Sequence, residues 1–193
     1  IILMYRLLNS DDVKKIAGDV DIITYDRLAN IDSLSNLKKD LVILYRHNPS
    51  VGHWVGLIKH GPHLIEYFDS YGHPVDDPMK WVPSYKSKNF DRKYKGVLLG
   101  QDLPLLSMLI LKFLEKDKRN KVVYNEHKYQ DRKLSNSSTC GRYVGHRIRY
   151  KNIPLERYQN LFDNTIPSYG AGRINYGEDP DEYIVRSTEI YLD

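Results

Sequence analysis

The stretch that decides the fold is residues 52–72, GHWVGLIKHGPHLIEYFDSYG. It contains two apolar segments rich in β-branched and aromatic residues, 53–59 and 63–70, separated by the turn-forming tripeptide HGP. Two such segments joined by a short glycine-containing turn are typical of a β-hairpin. We therefore expect two antiparallel strands at the centre of the molecule.

The turn of this hairpin determines which residues face each other. With the turn centred on Gly61, His53 lies opposite Asp69, and the same register pairs Val55 with Tyr67. Opposite residues of an antiparallel pair project from one face with Cβ atoms ~5 Å apart. A carboxylate beside an imidazole orients the ring and stabilises its charged form, as in a catalytic triad. The alternative is an ordinary cross-strand pair at the end of a hairpin.

The sequence on either side of the hairpin predicts helices around a central group of strands, which is an α+β fold. Strands are predicted at residues 41–46, LVILYR, and 121–126, KVVYNE. One domain is expected, with an N-terminal helical part at 1–40, a core at 41–162 and an irregular tail at 163–193. Helices are predicted over residues 9–18, 23–37 with a break near residue 32 or 33, 103–116, 140–150 and 154–162, and an edge strand over 182–192.

The composition restricts the class of protein. The chain has 193 residues, a net charge of +4 and one cysteine. One cysteine cannot form an internal disulfide, which favours a reducing, intracellular environment. The longest apolar stretch, residues 103–111, is about half as long as a membrane span, so no membrane association is expected. The weak positive charge permits a polyanionic partner without requiring one.

The single cysteine, Cys140, lies in NSSTCGRYVGHRIR, residues 136–149, at the predicted start of a basic helix. Partial positive charge at a helix N-terminus, or an adjacent imidazolium, favours the nucleophilic thiolate. Small residues precede Cys140 and Gly141 follows it, which leaves room for a substrate backbone to approach. The pattern indicates a candidate nucleophile, although a lone cysteine is more often a small buried apolar residue.

Four motifs in chain order, GHWVGL, EYFDSYG, YQ and NSSTCGRYV, resemble those of a family of cysteine proteases. The family includes the adenovirus maturation protease, adenain, and the proteases that act on SUMO and other ubiquitin-like proteins. The resemblance covers residues 41 to 150 and is nearest to the versions carried by virophages, giant DNA viruses and Polinton-type elements. It implies a fold unrelated to papain, with a central mixed or antiparallel sheet flanked by helices and the nucleophile at a helix N-terminus.

The resemblance assigns catalytic roles to four residues. Cys140 would be the nucleophile, His53 the general base and then acid, and Asp69 the residue that orients His53. Gln130 would donate its side-chain amide to the oxyanion, together with the backbone N–H of Cys140. Removing one such donor typically costs ~3 kcal/mol of transition-state stabilisation.

Gln130 departs from the family pattern in one respect. It precedes Cys140 by ten residues, a longer interval than in adenain-like members. The intervening loop must therefore bulge, or else Asn125 or Asn136 takes the role of oxyanion donor.

The resemblance also implies a class of substrate. Gly52, Trp54 and Gly141 would line a narrow groove that excludes side chains next to the scissile bond, so cleavage is expected after small residues, of the Gly-Gly or Gly-X type. Trp54 packed into the core is an equally good interpretation. The expected substrates are capsid or virion precursor proteins, processed by a monomeric enzyme in the virus factory of the host cytoplasm or in the nucleus, and packaged in the virion.

Two other functions compete with this hypothesis. A deubiquitinase or de-SUMOylase would have the same fold and the same catalytic residues. A tyrosine-rich protein that binds nucleic acid or capsids would need no catalytic residues at all.

Two basic regions suggest contacts with nucleic acid. Residues 84–95 interleave basic and aromatic side chains, and Arg142 and Arg149 share a face of the helix after Cys140. Such contacts suit viral DNA, a cofactor of the adenovirus relative, and the alternative is a solvated surface. The candidates in the first region are Lys86, Lys88, Arg92, Lys93 and Lys95.

No metal site is predicted, since His60 and His63 flank the hairpin turn without a second cluster of ligands. No cofactor is required. DNA or a peptide is a candidate activator, and the lack of a second cysteine excludes one that is held by a disulfide.

Overall fold

A computed structural model of the protein describes residues 7–46, 52–81, 104–130, 139–165 and 172–192. Within these residues no helix is both long enough and apolar enough to cross a membrane.

The centre of the structure is a five-stranded mixed sheet. Its strands are β1 (Val20–Thr24), β2 (Asp40–Arg46), β3 (Gly52–Lys59), β4 (Leu64–Phe68) and β5 (Lys121–Tyr124). They lie side by side in chain order. The β2–β3 and β3–β4 pairs are antiparallel, whereas β1 joins β2, and β5 joins β4, in parallel. The N-terminal end of β3 and the C-terminal end of β4 therefore meet at one end of the sheet.

Helices cover both faces of this sheet. They are α1 (Ser10–Ala17), α2 (Leu105–Lys116), α3 (Cys140–Arg149), α4 (Leu155–Gln159) and α5 (Pro180–Glu189), with 3₁₀ turns at Tyr25–Asn30, Leu34–Asn36, Asp77–Trp81 and Asn160–Phe162. One core cluster joins α1, α3 and α5 to the face that carries Trp54 and Phe68. A second cluster joins α2 to the face that carries Val55 and Tyr67.

Glycines bring α3 unusually close to its neighbours. A Cβ atom at Gly145 would lie 2.7 Å from Cγ2 of Ile16 in α1, and one at Gly56 would lie 3.2 Å from Cγ1 of Val144. Residues Cys140 to Ile148 are all buried. The helix that carries the cysteine is thus the central helix of the fold, fixed against both α1 and β3.

Most elements predicted between residues 41 and 162 are confirmed, and so is the α+β arrangement of a mixed sheet flanked by helices. Cys140 is the first residue of α3, as predicted. Near the N-terminus, Asn9 caps α1 by accepting a hydrogen bond from the backbone N–H of Asp12, and the Asp12 side chain accepts one from Asn9 N–H. Gly18, with φ of 93°, ends this helix where a stop signal is predicted.

The predicted hairpin register is wrong by two residues. Leu57 pairs with Tyr67, and Ile58 pairs with Glu66, so the turn is centred one residue later than expected. Each residue of β3 pairs two positions further along β4 than predicted. Every side chain still lies on its predicted face, because side chains alternate with a period of two along a strand.

Two predictions at the ends of the chain are also wrong. Residues 20–24 form strand β1 rather than part of a helical region, because VDIIT pairs with β2 along its whole length. The tail predicted as irregular, with an edge strand at 182–192, contains α5 instead. Asp179 accepts a hydrogen bond from Asp181 N–H and Pro180 occupies the first turn, which is a strong helix-start signal.

Candidate active site

His53 and Asp69 meet at the end of the sheet. His53 is the second residue of β3, and Asp69 directly follows β4. Extending the observed register places Val55 opposite Asp69, so His53 and Asp69 are diagonal neighbours on one face. Nε2 of His53 lies 3.1 Å from Oδ2 of Asp69, and both side chains are buried. The predicted pair therefore forms even though the register differs.

Cys140 completes this group from α3. Its buried side chain lies close enough to the His53 ring to contribute to the raised pKa of that histidine. The first turn of α3 adds backbone N–H groups, which have no partner within the helix and carry partial positive charge. The sulfur thus lies between a polarised ring and a helix N-terminus.

The two members of the buried pair shift each other's pKa. Burial alone lowers the pKa of His53, but the charge and contact of Asp69, with a smaller effect of Cys140, raise it to about 10. Burial alone raises the pKa of Asp69, whereas the charge and contact of His53 lower it to about 2. At neutral pH the pair is therefore an imidazolium and a carboxylate.

Other groups hold the Asp69 carboxylate in place. Its Oδ1 accepts a hydrogen bond from Tyr71 N–H at 2.8 Å. Nδ1 of His73 lies 3.6 Å from its Oδ2. Nδ2 of Asn125 donates to the backbone oxygens of Asp69, at 2.5 Å, and of His127, at 3.0 Å. Asn125, one of the alternative oxyanion donors, thus supports the loop that carries Asp69, and the other, Asn136, lies outside the described residues.

Gln130 lies beside the cysteine despite the ten-residue interval. Its Oε1 accepts a hydrogen bond from Ser70 Oγ at 3.0 Å, and its Nε2 donates to Oγ1 of Thr139 at 2.6 Å. Ser70 follows Asp69 and Thr139 precedes Cys140. The structure therefore brings together all four residues to which the resemblance assigns catalytic roles.

Three residues next to this site, Thr139, Tyr143 and Asp181, were not predicted from the sequence. Oγ1 of Thr139 donates to Oδ1 of Asp181 at 2.8 Å, and the hydroxyl of Tyr143 donates to the same oxygen at 3.0 Å. Asp181 lies in the first turn of α5 and is buried. The helix-start signal at residues 179 and 180 could have placed a helix here, but no local signal indicates that this helix contacts Thr139.

The chain is similar to a virophage protein. Over 166 residues it is 27% identical to the uncharacterized protein V9 of the Sputnik virophage, and the match covers 84% of this chain and 86% of the relative. No family model matches the chain. The similarity indicates a viral protein.

The residues predicted to line a substrate groove have close neighbours of their own. A Cβ atom at Gly141 would lie 3.0 Å from Cδ1 of Trp54, so the glycine lets the start of α3 pack against this largely buried indole. A Cβ atom at Gly52 would lie 2.7 Å from the backbone oxygen of Tyr45. Both glycines are thus required by close packing, whatever else they contact.

On α3, the predicted contact with nucleic acid is wrong for Arg142. Arg142 is buried, donates to Oγ1 of Thr188 at 2.8 Å and lies 2.8 Å from the Glu189 carboxylate. Arg149 donates to the backbone oxygen of Ile16 at 2.6 Å and stacks on the ring of Tyr191. Both guanidinium groups hold α3 to its neighbours, Arg142 from inside the protein and Arg149 from its exposed surface. A contact of Arg149 with nucleic acid stays a prediction. The five candidates between residues 84 and 95 lie outside the described residues.

One group of side chains in the described ranges has the spacing of metal ligands. The donor atoms of His53, Asp69 and His73 lie within 4.8 Å of one another. His73 also lines a cavity of about 630 Å³. The histidines flanking the hairpin turn have other partners: Nε2 of His60 lies 2.8 Å from the Glu66 carboxylate, and Nδ1 of His63 lies 2.8 Å from Oδ1 of Asn120.

Proposed function

We propose that the protein is a viral cysteine endopeptidase with the adenain-like fold. The observation that carries this proposal is the buried contact between His53 and Asp69 beside Cys140, at the start of a helix. A cysteine with only a packing role would not need a buried histidine–aspartate pair beside it. The similarity to a virophage protein supports the viral part of the proposal.

The reaction begins from a resting ion pair, in which His53 already carries the proton as an imidazolium and Cys140 is the thiolate. The thiolate attacks the carbonyl carbon of the scissile peptide, and the π electrons move to the carbonyl oxygen. Gln130 Nε2 and the backbone N–H of Cys140 donate to this oxyanion, as in other acyl transfers. His53 then protonates the leaving amine as the C–N bond breaks, which leaves an acyl-enzyme.

Water completes the turnover. His53 removes a proton from a water molecule, which attacks the acyl carbon, and collapse of the second tetrahedral intermediate releases the acid and the thiolate. His53 keeps the proton taken from water, so the resting pair of thiolate and imidazolium is restored. Asp69 remains ionised throughout, orienting the ring and stabilising its charged form.

The proposed substrates are capsid or virion precursor proteins, cut after small residues in the virus factory, the nucleus or the virion. The close contact between Trp54 and Gly141 leaves little space beside Cys140, which supports a preference for glycine next to the scissile bond. DNA or a peptide remains the proposed type of activator, and a disulfide to Cys140 would remove the nucleophile.

The direct test incubates the purified protein with the capsid proteins of its own virus and with ubiquitin-like fusion proteins. We expect cleavage of the capsid proteins after small residues, and no cleavage by Cys140→Ala. Exclusive cleavage of the fusion proteins would support a deubiquitinase instead. Cutting by both wild type and variant, or by neither, would contradict a cysteine protease.

A further inference from the structure

A chain of buried hydrogen bonds joins the end of β4 to the C-terminal helix. Ser70 Oγ donates to Gln130 Oε1 at 3.0 Å, and Gln130 Nε2 donates to Thr139 Oγ1 at 2.6 Å. Thr139 Oγ1 in turn donates to Asp181 Oδ1 at 2.8 Å. All four side chains are buried. The chain passes directly beside Cys140, because Thr139 is its sequence neighbour.

The chemistry of Asp181 sets the direction of every bond in this chain. An ionised carboxylate can only accept hydrogen bonds, and Asp181 Oδ1 accepts from both Thr139 and Tyr143. A hydroxyl has one proton, so Thr139 must accept from its other neighbour. Only the NH₂ end of the Gln130 amide can supply that bond. The amide is thereby oriented with its nitrogen towards Thr139, the residue before Cys140, and its oxygen towards Ser70.

We propose that Asp181 is a positioning residue that keeps the N–H end of Gln130 towards the oxyanion. This inference rests on the proposed function. With the amide reversed, its oxygen would face both the lone pairs of Thr139 and the negative oxygen of the tetrahedral intermediate. Asp181 therefore acts on the reaction through Thr139 and Gln130, without touching the substrate.

The test replaces Asp181 by asparagine, which has the same shape and can donate as well as accept. Thr139 is then no longer forced to accept from Gln130, so the amide can reverse. We expect kcat for peptide cleavage to fall at least about tenfold, towards the ~10²–10³-fold cost of losing an oxyanion donor, with KM little changed. Alkylation of Cys140 by iodoacetamide should keep its wild-type rate, because displacement at a saturated carbon forms no oxyanion.

Matched variants separate this effect from a general loss of structure. Glu182→Gln removes a negative charge from an exposed neighbour in the same helix turn and should leave kcat unchanged. Thr139→Ser keeps the hydroxyl and should retain activity, whereas Thr139→Val should behave like Asp181→Asn. If Asp181→Asn unfolds the protein, the comparison of Thr139→Ser with Thr139→Val decides the question.

The outcomes distinguish this proposal from the proposed function. No cleavage by the wild type, or cleavage by Cys140→Ala, would defeat the protease assignment itself. Wild-type kcat in both Asp181→Asn and Thr139→Val would defeat only the positioning role. An equal loss of cleavage and alkylation would also overturn it, since the changes would then act on the nucleophile.

Discussion

His53 is a buried histidine held between a carboxylate and a thiol. In water its ring would be mostly neutral at pH 7, and burial alone would make it more so, yet Asp69 raises its pKa to about 10. An imidazolium beside a thiol favours the nucleophilic thiolate. The chemistry proposed for Cys140 thus depends on a neighbour that is far away in the sequence.

The His53–Asp69 pair should make stability depend on pH. The pKa of His53 rises from 6.5 to about 10 on folding, so its contribution is complete below about pH 6.5 and is lost as the pH rises through about 10. Asp69, with its pKa lowered from 3.8 to about 2, contributes above pH 3.8 and loses this contribution as the pH falls through about 2. The pair is therefore most stabilising between about pH 3.8 and pH 6.5, where both contributions are complete.

This dependence can be measured by urea unfolding in a Cys140→Ala background, in which no thiol titrates. We expect the free energy of unfolding to exceed that of the Asp69→Asn variant most between about pH 3.8 and pH 6.5. The difference should shrink by a few kcal/mol towards pH 10, since each pKa unit corresponds to about 1.4 kcal/mol. A difference that stays constant over this range would show that the pair is not ionised.

Helix α3 owes its position to small residues along two of its sides. Gly145 faces Ile16 too closely for a side chain, and Gly141 is in tight contact with Trp54. The same helix begins with Cys140. The packing of α3 therefore also fixes the position of the nucleophile. A shift of α3 away from β3 would separate the sulfur of Cys140 from His53.

Gly145→Ala should destabilise the protein although alanine favours helices. The added methyl would lie 2.7 Å from Cγ2 and 3.0 Å from Cβ of Ile16. We expect a loss of about 1–3 kcal/mol in the free energy of unfolding from overpacking, which outweighs the gain of about 1 kcal/mol in helix propensity. In an Ile16→Ala background the same change should cost much less, because the methyl then fills vacated space. Equal costs in the two backgrounds would disprove the contact.

At the scale of the whole molecule, a buried ion pair ties α3 to the sheet on the side away from the catalytic pair. Nε and Nη2 of Arg147 donate to the two carboxylate oxygens of Glu66 in β4, both at 2.7 Å, and Nη1 donates to the backbone oxygen of Tyr150. The alternation of side chains along the strand puts Glu66 and Asp69 on opposite faces. Glu66 in β4 thus anchors α3, and Asp69, which directly follows β4, orients His53.

Removing one partner of this pair should be costly. Arg147→Met leaves the Glu66 carboxylate buried without its main partner, so we expect a loss of about 3–5 kcal/mol in the free energy of unfolding. The double variant Glu66→Gln, Arg147→Met should recover much of this loss. Arg119→Met, which breaks an exposed pair with Asp117, is the matched control and should change the free energy of unfolding little, because water screens an exposed pair. The free energies of unfolding are measured by chemical denaturation. Equal losses for Arg147→Met and Arg119→Met would refute this interpretation.

Much of the fold was predictable because its signals are local. The alternation in β3 and β4 placed His53 and Asp69 on one face, and that result survives a register error of two residues. Asn9 and Gly18 marked the ends of α1. Strand β1 was missed because its spacing of apolar residues also fits a helix, and only its pairing with β2 decides between the two.

By itself the sequence determined the catalytic candidates, the faces of the hairpin and the helix start at Cys140, since period, turns and caps act over a few residues. Only the tertiary structure decided that Gln130 reaches Thr139 across ten residues, that Arg142 is buried, and that the C-terminal helix brings Asp181 to the site. These outcomes depend on which surfaces pack together. Contacts between segments far apart in the sequence are not signalled by the residues around them.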